Sequence, residues 1–192
     1  MQPRPQLSYP ELYILRHGET EWNAENRMQG TLNSPLTQKG EMDAAHQGEI
    51  LRNLDLEGFS FLCSPQGRAF QTAGIALARI ADTIRTDDRL REIGVGDWSG
   101  RLRAELPKIE GRDPFMSHYE AAPNGEGFAR LEVRCRDFLS DLNSPAVLIT
   151  HGITSRMIRS IVIGQGAVAV PTVHGGQGCV YHLKDGVQSL FE

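Results

Sequence analysis

The stretch Glu11-Leu12-Tyr13-Ile14-Leu15-Arg16-His17-Gly18-Glu19, residues 11–19, decides the reading of this chain because its character changes at one point. Glu11 to Leu15 is a short apolar run of strand length, and it stops abruptly at the charged run that begins with Arg16. In open α/β sheets ligands bind at the carboxyl ends of strands, so reactive groups placed there are a functional signal. The arrangement recurs downstream, where the apolar run Ala146 to Ile149 leads into Thr150-His151-Gly152. A third apolar run, Phe59 to Cys63, leads into Ser64-Pro65, which reads as an N-cap and a first helical residue, with Arg68 in the first turn.

Helical patterns separate these strands. Thr37 is the N-cap of a helix reaching about Leu54, with apolar positions at Met42, Ala45, Ile50 and Leu51. The helix after Ser64 runs through Ala69, Ala73, Ala76, Leu77 and Ile80. Phe128, Leu131, Cys135, Phe138 and Leu142 recur at three- and four-residue steps and share one helix face. Near the end, Lys184-Asp185-Gly186 joins two short strands as a hairpin. The alternation predicts an α/β three-layer sandwich, a mostly parallel central sheet with helices on both faces. Residues 1–192 are read as one domain, with 1–10 as a flexible leader and about 101–127 as a capping insertion of weak periodicity.

Composition excludes several classes. Hydrophobic residues at 40% and charged residues at 23% give the balance of a globular chain, not of a disordered or fibrous one. No apolar run reaches the length of about 18 residues that a membrane span needs, and the leader lacks the apolar core of a secretory signal, so a cytoplasmic location is expected. Cys63, Cys135 and Cys179 are odd in number and widely spaced, which predicts reduced, buried thiols and no zinc cluster. A net charge of −4 offers no general attraction to nucleic acid or an anionic membrane. An anionic substrate therefore needs a local cluster of cations.

The strand ends supply one. A neutral imidazole is a competent nucleophile near neutral pH, and a dianionic phosphoryl group is approached only with fixed cationic donors in place. Arg16 beside His17 offers a guanidinium fork, Arg68 adds a second at a helix N-terminus, and His151 faces the same sheet edge. Gly18 and Gly152, one after each histidine, are read as letting backbone approach a ligand closely.

These residues carry a family resemblance. Leu15-Arg16-His17-Gly18-Glu19-Thr20 with Trp22-Asn23, Arg27 and Gly30 resembles the opening motif of the histidine phosphatase superfamily, also called the phosphoglycerate mutase-like family. In the family's order follow Asn33-Ser34-Pro35-Leu36-Thr37 with Gly40, Ser64-Pro65 with Arg68-Ala69 and Gln71-Thr72-Ala73, Leu90-Arg91-Glu92 with Gly96-Asp97-Trp98, and Thr150-His151-Gly152. The resemblance spans roughly residues 11 to 183. It implies a phosphate monoester hydrolase in which His17 carries the phosphoryl group as a phosphohistidine. Arg16, Arg68, Asn23 and His151 would bind the peripheral oxygens, Gly152 would belong to the substrate site, and Glu92 would act as general acid and then base. No metal and no cofactor is expected, and the partner is a small phosphorylated molecule.

The same residues serve a cofactor-dependent mutase, and a catalytically silent binder of the same fold is a further alternative. The short connection between Glu92 and His151 favours hydrolysis, and residues 90–98 look more like the phosphatase branch. Ser99 and Gly127 depart from that branch, which has Glu and Ser there, and put the shape of the capping insertion in doubt. Glu19 and Trp22 are as compatible with capping and packing as with function. Asp82, Asp87 and Asp88 read as solvated turns and not as a metal site, and the glycines at 175, 176 and 178 lack a nucleotide-loop pattern. His46 and His182 are assigned to surface or packing, while His118 and His174 stay open between packing and lining the pocket. Arg101, Arg103, Lys108 and Arg112 make the insertion basic, which reads foremost as a solvated face, so Arg103 and Arg112 are not taken as sites. Substrate identity and oligomeric state are not legible.

Overall fold

A computed structural model describes residues 9–109 and 114–192. Most of the expected leader, residues 1–8, lies outside the described residues, as do 110–113 of the insertion, Arg112 among them.

The central sheet has six strands: β1 (Leu12–Arg16), β2 (Ser60–Cys63), β3 (Arg85–Thr86), β4 (Ala146–Thr150), β5 (Val180–Lys184) and β6 (Val187–Phe191). Their order is β3-β2-β4-β1-β5-β6, parallel from β3 through β1 and antiparallel across β5 and β6. The sheet is thus mixed, with helices on both sides. The antiparallel end is the hairpin expected from Asp185-Gly186, both with positive φ as a tight turn between twisted strands requires.

Strand alternation divides the core in two. Leu12, Ile14, Ala146 and Leu148 face one way and pack on α5 (Gly127–Ser140) and α6 (Gly152–Val162) through Leu131, Cys135, Phe138, Met157 and Ile158. Tyr13, Leu15, Val147 and Ile149 face the other way and meet Leu51 of α2 (Gln38–Arg52) and Ala69, Ala73 and Ala76 of α3 (Gly67–Ala76). The central strands β1 and β4 are buried on both faces, which explains why they read as unbroken apolar runs. Two short helices complete the set, α1 (Glu21–Ala24) and α4 (Pro114–Ala121), the latter inside the insertion. All three cysteines are free and buried. Among the described residues no helix is long and apolar enough to cross a membrane.

Several local expectations are corrected. Thr37 is the N-cap of α2, but Met42 and Ala45 point to solvent, and the buried face is Gly40, Ala44, Gln47, Gly48 and Leu51. Small residues are needed there because α2 lies tight against its neighbours: a Cβ on Gly48 would sit 2.7 Å from the Ala76 carbonyl oxygen. Ser64 does not cap α3. Gln66, itself extended, takes the N-cap position, while the Ser64 hydroxyl pairs with His151 and accepts from the Gln66 amide at 3.3 Å. That helix ends at Ala76 and not near Ile80, giving way to turns after Leu77.

Candidate active site

Parallel pairing places the carboxyl ends of β1, β2 and β4 side by side, with Arg16 opposite Thr150 and Cys63 opposite Ile149. The residues just beyond stay in register: the His17 amide donates to the Thr150 carbonyl at 3.0 Å and the Ser64 amide to the Ile149 carbonyl at 2.9 Å. His17 and His151 are consequently neighbours, their rings edge to face with centroids 5.1 Å apart. Glu92 arrives from a fourth direction, after β3 and the 3-10 turn Asp88–Leu90, and Thr150 holds that turn by donating its hydroxyl to the Leu90 carbonyl at 2.7 Å.

A cavity of about 200 Å³ opens at this edge, lined by Arg16, His17, Asn23, Arg68 and Glu92 together with residues the sequence reading had not assigned. His17 is buried and its protonation is set by its contacts. Nδ1 lies 2.7 Å from the Gly18 carbonyl, which can only accept, so the proton sits on Nδ1. Nε2 then carries a lone pair, and Arg68 Nε donates to it at 3.2 Å. Burial, then the charges of Arg68 and Arg16, hold His17 well below its ordinary value and keep it neutral.

Arg68 is almost completely buried, and its terminal nitrogens donate to the Leu32 and Gly30 carbonyls at 2.7 and 3.0 Å. Its partners are neutral, and burial lowers it to about 10 although Glu92 pulls the other way. The first-turn amide of Arg68 is not free for an anion; it donates to Asn33 Oδ1 at 2.8 Å. His151 is fully buried, with Nε2 2.8 Å from the Ser64 hydroxyl and Nδ1 lacking a partner. Burial and then Arg68 push it well below its ordinary value as well. Arg16 Nε is likewise buried without a partner.

The two oxygens of Glu92 differ. Oε1 accepts from the amides of Ile93 and Thr154 at 3.0 and 3.1 Å and from the Thr154 hydroxyl at 3.2 Å. Oε2 accepts from the Ile153 amide at 3.2 Å. The group is seated on the N-terminus of α6, where free amides point outward, and Oε2 keeps room for a proton.

The glycines act differently from the expectation. A Cβ on Gly18 would lie 2.0 Å from the Gly40 carbonyl oxygen, so its bareness serves packing of the loop on α2. Gly152 makes room for Arg16, whose guanidinium carbon would be 3.4 Å from a Cβ there. Neither glycine lines the main cavity. His118 is buried against Trp98 with Nε2 3.1 Å from the Pro107 carbonyl, and His174 is exposed, so neither lines it either. Glu19 does line it, but is held by Thr37 and Lys39.

Sequence reasoning missed Gln29, Arg103, Phe115, Tyr119 and Gln177 in the lining. Gln177, just before β5, donates to the His17 carbonyl at 3.1 Å and to Asn23 Oδ1 at 3.3 Å; no motif marks it. Among the described residues, no group of three or more His, Cys, Asp or Glu is placed to hold a metal.

Comparison with known proteins places the chain in a family. The family model described as "Histidine phosphatase superfamily (branch 1)" matches residues 12–186. A relative named probable phosphoglycerate mutase GpmB, from Enterobacter sp. (strain 638), is 36% identical over 168 residues, covering 83% of this chain and 77% of that protein. Among solved structures, Bacillus stearothermophilus YhfR superposes with a TM-score of 0.77 at 30% identity, covering 94% of this chain and 95% of the other. A mycobacterial glucosyl-3-phosphoglycerate phosphatase, Rv2419c, solved with VO3, gives a TM-score of 0.74 at 26% identity, covering 95% and 97%.

Proposed function

The chain belongs to the histidine phosphatase superfamily, and on that premise we propose that it hydrolyses phosphate monoesters of small molecules through a phosphohistidine on His17. The observation that carries the reading is the state of His17: neutral, proton fixed on Nδ1 by Gly18, lone pair on Nε2 facing the Arg68 guanidinium inside the cavity. A phosphoryl group entering between these two meets a nucleophile and its counter-charge together.

In the first step the Nε2 lone pair forms a bond to phosphorus, the bond from phosphorus to the alcohol oxygen breaks, and that oxygen takes the proton from Glu92 Oε2. In the second, water attacks phosphorus and gives a proton back to Glu92. The P–N bond breaks, and inorganic phosphate leaves with His17 neutral again. Arg16, Arg68 and His151, with Asn23 at the cavity wall, stabilise the charge on the peripheral oxygens. No step calls on a metal. Helix α4, with Phe115 and Tyr119 in the lining, is read as the cap of the site.

The mutase name of one relative keeps a second reading in view. Hydrolysis of an aryl phosphate in excess chelator tests the first. We expect metal-independent release of phosphate, inhibition by vanadate, and an acid-labile phosphoenzyme. In His17→Ala turnover falls by about 10⁴-fold or more and the phosphoenzyme disappears. Undiminished turnover in that variant overturns the mechanism, while isomerisation of 3-phosphoglycerate with little phosphate release replaces hydrolysis by transfer.

A further inference from the structure

Gln177 reaches the catalytic histidine from a stretch with almost no structure of its own. Residues 174–178, His174-Gly175-Gly176-Gln177-Gly178, form neither helix nor strand, and among the described residues they share in no backbone–backbone hydrogen bond. Three of the five are glycines, and Gly178 has a φ of +75°. A glycine loses more freedom on ordering than any other residue, so such a loop does not hold itself. What fixes Gln177 must come from outside it.

Two arginines of α6 supply the hold. Arg156 Nη1 donates to the Val173 carbonyl at 2.5 Å, and its guanidinium lies so near that a Cβ on Gly175 would sit 2.6 Å from Nη2. Arg159 Nη2 donates to the His174 carbonyl at 2.6 Å, Nη1 to Gln188 Oε1 of β6 at 3.1 Å and Nε to the Ser155 hydroxyl at 3.2 Å. Its guanidinium carbon lies 3.7 Å from the centroid of the Tyr181 ring. Arg159 is completely buried, and burial lowers it to about 10. Packing alone would be better served by an apolar side chain, because a buried cation costs stability. The Tyr181 ring offsets part of that cost in place of a carboxylate. Arg159 does not line the phosphoryl cavity, so it is kept for what it holds and not for an anion.

The far end of the loop shows what is held. Gln177 Nε2 has two N–H groups, and both are committed: one to the His17 carbonyl at 3.1 Å, the other to Asn23 Oδ1 at 3.3 Å. Gln177 therefore has no donor left for a substrate. Asn23 Oδ1 also accepts from the Thr20 amide at 3.2 Å. With Oδ1 held by two donors, the Asn23 carboxamide is fixed the one way round that leaves its Nδ2 donor for a phosphoryl oxygen; the flipped amide would present an acceptor and repel it. We propose that Arg159 is a positioning residue: from the core of α6 it pins the glycine loop so that Gln177 sets the orientation of Asn23 and the backbone of His17. This rests on the hydrolytic reading above, which gives Asn23 and His17 their roles. Arg159 itself lies outside the motifs that carry the family resemblance.

The test is a double-mutant cycle on Arg159→Met and Gln177→Ala. It reads kcat and KM for an aryl phosphate, and the affinity for vanadate, whose five-coordinate adduct imitates the transition state, all well below the thermal midpoint of every variant. Each single variant should lose about 10-fold in kcat, the scale of one hydrogen bond to a charged group. Each should lose about as much in vanadate affinity, with KM within about twofold. The double variant should be no worse than the worse single, since both remove the same contact. Arg159→Lys, which keeps a donor toward the loop, should recover part of the rate, and it replaces Met in the cycle if that variant does not fold. Losses that multiply to about 100-fold in the double variant, or an Arg159→Met protein that is less stable but keeps its kcat, make Arg159 a structural residue and overturn the proposal. If the wild type turns over no phosphomonoester at all, the hydrolytic reading fails, and vanadate binding across the same cycle still decides the positioning role.

Discussion

Two arginines on neighbouring elements show how differently this fold treats a cation. Arg89, in the turn after β3, is surrounded by carboxylates: Asp87 at 2.8 Å, Asp137 at 2.9 Å and Asp141 at 2.7 Å, with the Phe138 ring beside it. Those carboxylates raise it above its ordinary value. Arg68 is 1% exposed, and its hydrogen-bond partners are two carbonyls and a neutral imidazole, so burial lowers it. Compensation marks a residue that holds elements together, here the β3 turn to α5. A buried cation without a bound carboxylate costs stability and is kept where an anion is to arrive.

The strongest way to break this contrast is to remove Arg68. Arg68→Met should lower kcat/KM for an aryl phosphate by about 10²- to 10³-fold, the usual loss for a group that stabilises transition-state charge. Inorganic phosphate should raise the thermal midpoint of the wild type, and Arg68→Met should abolish that rise. If phosphate stabilises Arg68→Met as well as the wild type, Arg68 is structural and the contrast with Arg89 is lost.

Acid titration separates the two regions by pH. His17 and His151 are both held well below their ordinary value of 6.5, so the folded chain stays unprotonated where the unfolded chain takes up protons. Their contribution is intact above about 6.5 and is lost as pH falls below it, with a slope of about 1.4 kcal/mol per pH unit for each histidine. Asp87 is lowered from 3.8 by its hydrogen bond to Arg89, so its contribution persists until pH falls below about 4. Denaturant midpoints from pH 8 to 3 should show two separate declines. His17→Asn should about halve the slope of the upper one, since His151 remains, and leave the lower; an unchanged upper slope would mean that His17 is not buried neutral.

How legible all this was depends on range. The apolar runs ending at Leu15, Cys63 and Ile149 announced three parallel strands, because a strand covered on both faces, as β1 and β4 are, leaves no polar alternation. The strand ends marked Arg16, His17 and Arg68, and the family resemblance added Asn23 and Glu92; the fold brings all five to one cavity. The helix faces were less legible: α2 buries Gly40, Ala44 and Gly48, and a face chosen for smallness carries no hydrophobic signal. Gly18 and Gly152 were legible as special but not for the right neighbour, since only the tertiary structure reveals Gly40 and Arg16 beside them. Gln177 and the Arg103, Phe115 and Tyr119 group were not legible at all. They come from loops and a short helix that lack periodicity, and their meaning lies in contacts across long sequence distances.

The smallest effect offers the finest test. Ser64 replaces its expected cap role with a hydrogen bond to His151 Nε2, and without it both nitrogens of a buried imidazole would lack partners. Ser64→Ala should let that ring turn and cost about 10-fold in kcat, with KM for an aryl phosphate little changed because the Arg68 fork remains. Ser64→Thr, which restores a hydroxyl, should recover most of it. Arg89→Ala is the counterpart. It should lower stability by about 1 kcal/mol, the scale of a partly exposed ion-pair network, and leave kcat within about twofold. Were Ser64→Ala to behave like Arg89→Ala, losing stability but not rate, His151 would belong to the compensated framework of the fold and not to the phosphoryl site. The division between the two kinds of polar group would then have to be drawn closer to His17.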